Sequence, residues 1–212
     1  MGGLDAADPL DRASALAALV VAGRASTATL LRALSSTQPE AREMAAEGLA
    51  QVADPSAAEA LASTLDDAEP RVRARAAQAL ASIGDPRALD ALVRTIDDYP
   101  DELHPPHTVA TYVLIARGRD ALPAVVPLLG APNPLTRQRA YVVLRTLVSA
   151  MPEAGEWEPL WESLGTYDPM EPDRAMREAA AAQWRQWVGM HCEPQVYSAN
   201  SSRIGQSGRS SP

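Results

Sequence analysis

Chemistry in this 212-residue chain would have to start from very few side chains. Its three histidines are His104, His107 and His191. His104 and His107 bracket two prolines, with Asp101 and Glu102 just upstream, so two imidazoles and a carboxylate share one short segment. Zinc sites draw three or four converging ligands, and a proline-stiffened turn is the simpler role for this stretch. His191 precedes the single cysteine, Cys192. A thiolate–imidazole nucleophile needs a buried, mutually oriented pair, which adjacent residues near a chain end rarely form. Four tryptophans fall in the last third, at Trp157, Trp161, Trp184 and Trp187. Spacings of four and three put each pair on one helix face. The expected role is an aromatic plug closing the final unit, with a binding platform as the alternative. No catalytic group, metal or cofactor is expected from this inventory.

The elements that would position these residues repeat along the chain. PEAREMAAEGLAQVADPSAAEALASTLDD begins at Pro39, and PRVRARAAQALASIGDPRALDALVRTIDD begins at Pro70. Pro39/Pro70, Arg42/Arg73, Ala45/Ala76, Leu49/Leu80, Asp54/Asp85, Pro55/Pro86 and Leu61/Leu92 coincide, as do the closing Asp-Asp pairs. Each unit predicts two helices. The opening proline suits a first helical turn, where its missing N–H has no acceptor to lose. Ala45, Leu49 and Val52, or Ala76, Leu80 and Ile83, form one apolar stripe. Asp-Pro then ends the first helix and starts the second. Weaker copies open at Pro9, after Pro105-Pro106 and at Pro134, with loop insertions near 98–106 and 149–156, and Pro172 leads a last helix that would cap the array. The expected organisation is an N-terminal extension over 1–8, a repeat array over 9–192 and a disordered Ser/Gly-rich tail over 193–212.

Composition narrows the function classes. There are 27 acidic against 19 basic residues, a net charge of −8. Such a field opposes phosphate backbones, so nucleic acid is an unlikely ligand in these terms. All the basic residues are arginine, which with abundant alanine and proline reads as the codon bias of a GC-rich bacterial genome. One cysteine cannot form an internal disulfide, which points to a reducing cytoplasm. No uninterrupted run of ~18 apolar residues is evident, and no membrane insertion is expected.

The pattern VRxxAAxALxxIGDPRAxxALxxxIxD, which ends at Asp98, resembles the HEAT-like repeat of phycobilisome-lyase proteins. The resemblance implies an all-α, right-handed α-solenoid of about five and a half helical hairpins. It further implies a non-enzymatic protein-binding module, an adaptor, scaffold or accessory subunit. The alternative is a chaperone- or lyase-like helper that holds a chromophore- or cofactor-bearing protein. HEAT-type deoxyhypusine hydroxylases use repeated His-Glu pairs for iron, and no histidine here is followed by glutamate. HEAT-type alkylpurine glycosylases use a basic groove, which the acidic charge opposes.

Second helices usually line the concave face of such stacks. Aligned on Leu30, Leu61, Leu92, Val125 and Leu160, they project Glu59, Asp90 and Glu158 before that position, and Ser63, Arg94 and Glu162 after it. Asp66 and Asp97 form a further ring at the helix ends. These eight residues are the candidate partner-binding set, an acidic ladder suited to a basic segment of another protein. Arg71, Arg73, Arg75 and Arg87, with Arg137 and Arg139, are read as first-helix arginines expected to pair with acids of neighbouring repeats.

Overall fold

The computed structural model describes residues 3–192; the tail expected at 193–212 lies outside them. The helices are α1 (Pro9–Ala22), α2 (Thr27–Ala33), α3 (Pro39–Val52), α4 (Ala58–Thr64), α5 (Pro70–Ser82) and α6 (Ala88–Arg94). They continue as α7 (Val109–Arg117), α8 (Leu122–Val125), α9 (Pro134–Ser149), α10 (Trp157–Ser163) and α11 (Arg174–Cys192). A 3₁₀ turn, Val126–Gly130, prolongs α8. Consecutive helices pair into five hairpins with α11 as the half unit, an all-α solenoid with no strand among the described residues.

Local chemistry sets the helix ends. Proline occupies the first turn of α1, α3, α5 and α9, where it removes no helical hydrogen bond. Asp8 and Asn133 cap α1 and α9 through their side chains. The first helices then align on one apolar column of Leu19, Leu49, Leu80, Leu114, Leu144 and Trp184, fully buried from Leu49 onward. In that register α7 lacks its first turn, because residues 98–108 are diverted into the expected insertion and Thr108 caps the shortened helix. Close stacking uses small side chains. A Cβ on Gly48 of α3 would lie 2.8 Å from Leu30 and 2.9 Å from Leu16 of the preceding hairpin.

One arginine recurs at a fixed place in five of the six first helices. Arg12 donates through Nη1 to the carbonyls of Ala6 and Ala7, at 2.6 and 2.9 Å. Arg42 does the same to Ser36 and Thr37, and Arg73 to Asp67 and Ala68. Arg137 reaches Ala131 and Pro132, and Arg177 reaches Glu171 and Pro172. Each clamps the loop that precedes its own helix. In two repeats the rest of the guanidinium makes a bidentate pair with the closing aspartate: Arg42 with Asp67 at 2.7 and 2.9 Å, and Arg73 with Asp98 at 2.9 and 2.7 Å. The planar fork of arginine is what permits both jobs at once. Across repeats, Arg71 and Arg75 approach Glu43, and Arg75 also approaches Glu47, as expected of first-helix arginines. Arg87 differs: it sits at the N-cap of α6, not on a first helix.

Two expectations need correction. The segment Pro9–Ala33 is long and apolar enough to cross a membrane by length and composition, because mean hydropathy tolerates the few charges that break an uninterrupted run. Here it is bent: Gly23 takes φ +58°, a 3₁₀ turn spans Gly23–Ser26, and α1 and α2 both pack on α3. The second correction concerns the C-terminal end. The register expects α10 to continue the row of second helices, yet α10 packs chiefly on α9, while α11 lies against α8 and its 3₁₀ extension. The reason is bulk. Trp184 and Trp187 of α11 are buried, Trp157 stacks on Trp184 with centroids 5.3 Å apart, and Trp161 donates to the Tyr167 carbonyl at 3.0 Å. Tyr167 is itself buried and donates its hydroxyl to the Leu129 carbonyl at 2.7 Å. The tryptophans are thus the aromatic plug.

Because the Arg73 clamp is partly buried and charge-assisted, Arg73→Ala should lower unfolding free energy by about 2–3 kcal/mol in urea titration. Arg73→Lys should restore less than half of that, since a point charge cannot serve two carbonyls and a carboxylate together. Arg94→Ala, which removes only an exposed pair, should change it by less than about 1 kcal/mol.

Candidate functional site

The face carried by α4 and α6 is built from two parallel rungs. Glu59 of α4 meets Arg87 at the start of α6 at 3.0 Å. Asp66, just past α4, meets Arg94 in the last turn of α6 at 2.9 Å. Glu59 and Asp66 lie seven residues apart, two helical turns, and so do Arg87 and Arg94. Glu59 and Asp66 keep 88% and 78% of their side-chain surface exposed, so each rung contributes roughly 0–1 kcal/mol. Asp90 is exposed on the same helix as Arg94, and Ser63 turns its hydroxyl onto the Glu59 carbonyl at 3.1 Å.

The other candidates separate from that face. Asp97 accepts from Arg139, Thr136 and Asn133, which fastens the end of α6 to α9. Glu158 and Glu162 are exposed on α10, outside the row that runs from α8 to α11. The sequence ladder of eight therefore resolves into Glu59, Ser63, Asp66, Asp90 and Arg94 together, with Asp97 engaged and the two α10 glutamates elsewhere. Arg87, placed by the sequence among the arginines that only pair between repeats, completes the first rung. Its signal was the Asp-Pro-Arg run at Asp85–Arg87, absent from the preceding unit, which reads Asp-Pro-Ser.

Charge on this side is tied down more than the composition implies. Arg87 holds Asp85 through two bonds of 2.8 Å, and its guanidinium with the Arg87 amide pulls the Asp85 carboxyl down to about 2. Arg42 depresses Asp67, and the Ser56 amide with the Thr27 hydroxyl depresses Asp54. In the 98–108 insertion the Tyr112 hydroxyl and His104 bring Asp101 to about 2.

The histidines do not converge. His104 lies 3.0 Å from Asp101, whereas His107 turns away to stack on Tyr112 at a centroid distance of 4.9 Å. Among the described residues no group of three or more His, Cys, Asp or Glu is arranged to hold a metal ion. His191 is committed to the Trp187 ring and carbonyl, and burial raises the Cys192 thiol above its usual range, which disfavours the thiolate.

Residues 27–104 match the sequence family described as HEAT repeats. No curated protein sequence matches the chain. Among solved structures it is similar to an engineered protein, with 19% identity, TM-score 0.43, and 88% of this chain and 94% of that one covered. A designed armadillo repeat protein gives 20% identity and TM-score 0.39, with coverage of 87% and 96%. Computationally designed armadillo repeat proteins for modular peptide recognition give 18% and 0.38, again over 87% and 96%.

Two measurements test the site's surroundings. Carboxylates depressed in the folded state add stability above their unfolded pKa and lose it as pH falls through the folded one. The urea midpoint should therefore hold from pH 7 to about 5 and drop between about 4 and 2, with Asp67→Asn flattening part of that drop. Trp184 has a buried indole N–H without a partner. Trp184→Phe should therefore cost far less than Trp184→Ala, for which about 3–5 kcal/mol is expected by calorimetry or urea titration.

Proposed function

We propose that this solenoid, whose residues 27–104 are HEAT repeats, is a non-enzymatic interaction module that binds a basic segment of another protein along the α4–α6 face. The observation that carries the reading is the pair of exposed rungs, Glu59–Arg87 and Asp66–Arg94, beside the exposed carboxylate of Asp90. Arginines hold the acidic side chains in place at almost no net gain in energy. An incoming arginine or lysine can take over each carboxylate without a large loss, while Arg94 swings into solvent and Arg87 keeps its pair with Asp85. The net charge of −8 adds long-range attraction for such a segment and a strong dependence on salt. The deeper pairs, Arg42–Asp67 and Arg73–Asp98, are bidentate and shielded and stay in place. We take the site of action to be a reducing cytoplasm, which suits a chain whose single cysteine has no internal partner.

The test uses fluorescence anisotropy with an arginine-bearing helical peptide and its glutamate counterpart. The arginine peptide should bind and weaken steeply with added salt, and the glutamate peptide should not bind. Glu59→Lys combined with Asp90→Lys should weaken binding by about tenfold or more, while Glu158→Lys on α10 leaves it unchanged. Equal binding of both peptides, or no effect of the double reversal, overturns the assignment.

A further inference from the structure

The first helix differs from α3 and α5 in what it shows to solvent. Leu10 and Val21 of α1 are 77% and 89% exposed, and Ser14 and Ala17 between them are exposed as well. Their spacing of four, three and four is that of a seam between two packed helices. At the same register positions α3 carries Glu40, Met44, Glu47 and Gln51, and α5 carries Arg71, Arg75, Gln78 and Ser82. The outer surface is polar there on α3 and α5 and apolar on α1. A cavity of about 660 Å³ flanks the seam, between Ala15 and Ala18 of α1 and Thr29 and Ala33 of α2. The corresponding positions on α3, Ala45 and Gly48, are covered by Leu16 and Leu30 of the preceding hairpin. This end of the stack is therefore shaped as an inter-repeat interface.

We propose that a second copy of this chain covers it, with α1 packed antiparallel on α1 across a two-fold axis. Charge selects this occupant. Asp8 and Asp11 lie at the Leu10 end of the seam, and Arg24 lies just past Val21 at the other. Antiparallel docking sets Leu10 against the partner's Val21 and each Arg24 beside the partner's acidic end, twice by symmetry. The two helix dipoles then also oppose. The small central residues, Ser14 and Ala17, let the axes approach to roughly 8 Å. The outward side of α11 offers no equal match: Met176 and Met190 are exposed there at 60% and 67%, but Glu178, Gln183, Arg185 and Gln186 are exposed between them. The acidic end also works against seating α1 on an anionic bilayer.

The experiment is sedimentation of the whole chain across the micromolar range. A concentration-dependent dimer is expected, and Ala17→Glu or Val21→Glu should weaken it by about tenfold or more with helical circular dichroism unchanged, because both positions face solvent in a single copy. In a Cys192→Ser background, a mixture of Leu10→Cys and Val21→Cys chains should form a disulfide-linked pair on mild oxidation, and neither chain alone should. A chain that stays monomeric overturns the proposal. So does cross-linking of Leu10→Cys to itself, or flotation of the wild-type chain with phosphatidylcholine vesicles in place of dimerisation.

Discussion

Stacking helical hairpins leaves a recurring problem at the joints. Each joint ends one repeat with a turn and opens the next with a helix-starting residue, so the carbonyls just before each first helix have no backbone donor within reach. An arginine three residues into the helix solves this by reaching back over five and six positions. It orders the joint, and through Asp67 and Asp98 it ties two joints to each other. In the fourth unit His107 stands in that register position, the first turn of α7 is missing, and the joint becomes the 98–108 insertion, held by Tyr112, His104 and Asp101. Where the arginine is lost, the loop needs its own fastening.

This division also explains why the acidic composition does not become an open negative surface. Asp67 and Asp98 are consumed by clamps, Asp85 by Arg87, Asp97 by α9, and Asp101 by the insertion. The carboxylates left replaceable are those whose partners sit across α4 and α6 in solvent. A partner contacting them gains Coulomb energy without dismantling anything that holds the fold. Carboxylates near the joints would cost the array its register if they were recruited. Under the proposed function, binding and stability draw on different members of one charge set.

The hairpins were legible because their information is local: opening proline, apolar stripe, Asp-Pro break. The Arg42/Arg73 coincidence was also visible, but its purpose was not, since a side chain that reaches backward to carbonyls leaves no mark on hydrophobic periodicity. Register alone set Glu59, Asp66 and Asp90 on one face, which works where repeats are of equal length. Glu158 and Glu162 lie off that face for the same reason. Their unit follows the 149–156 insertion, and the tryptophan bulk of α11 takes over the space beside α8. Side-chain volume decided that arrangement, and a one-dimensional alignment does not carry volume.

The consequence is a solenoid whose useful face is shorter than its repeat count. On one side the row of second helices is limited by the insertion at 98–108, which shortens α7 and spends Asp97 on α9 rather than on the open face. Further along, α8 is a single turn continued as 3₁₀ helix and lined by Pro123 and Pro127, with no charged side chain in Leu122–Gly130. Beyond it stands α11, packed through tryptophan. Exposed cross-helix ion pairs along the row are therefore confined to the two hairpins in which rung-forming residues stand at equal spacing, α3–α4 and α5–α6. Those hairpins carry the two sequence units that resemble each other most, one supplying the acids of the rungs, Glu59 and Asp66, and the other the arginines, Arg87 and Arg94.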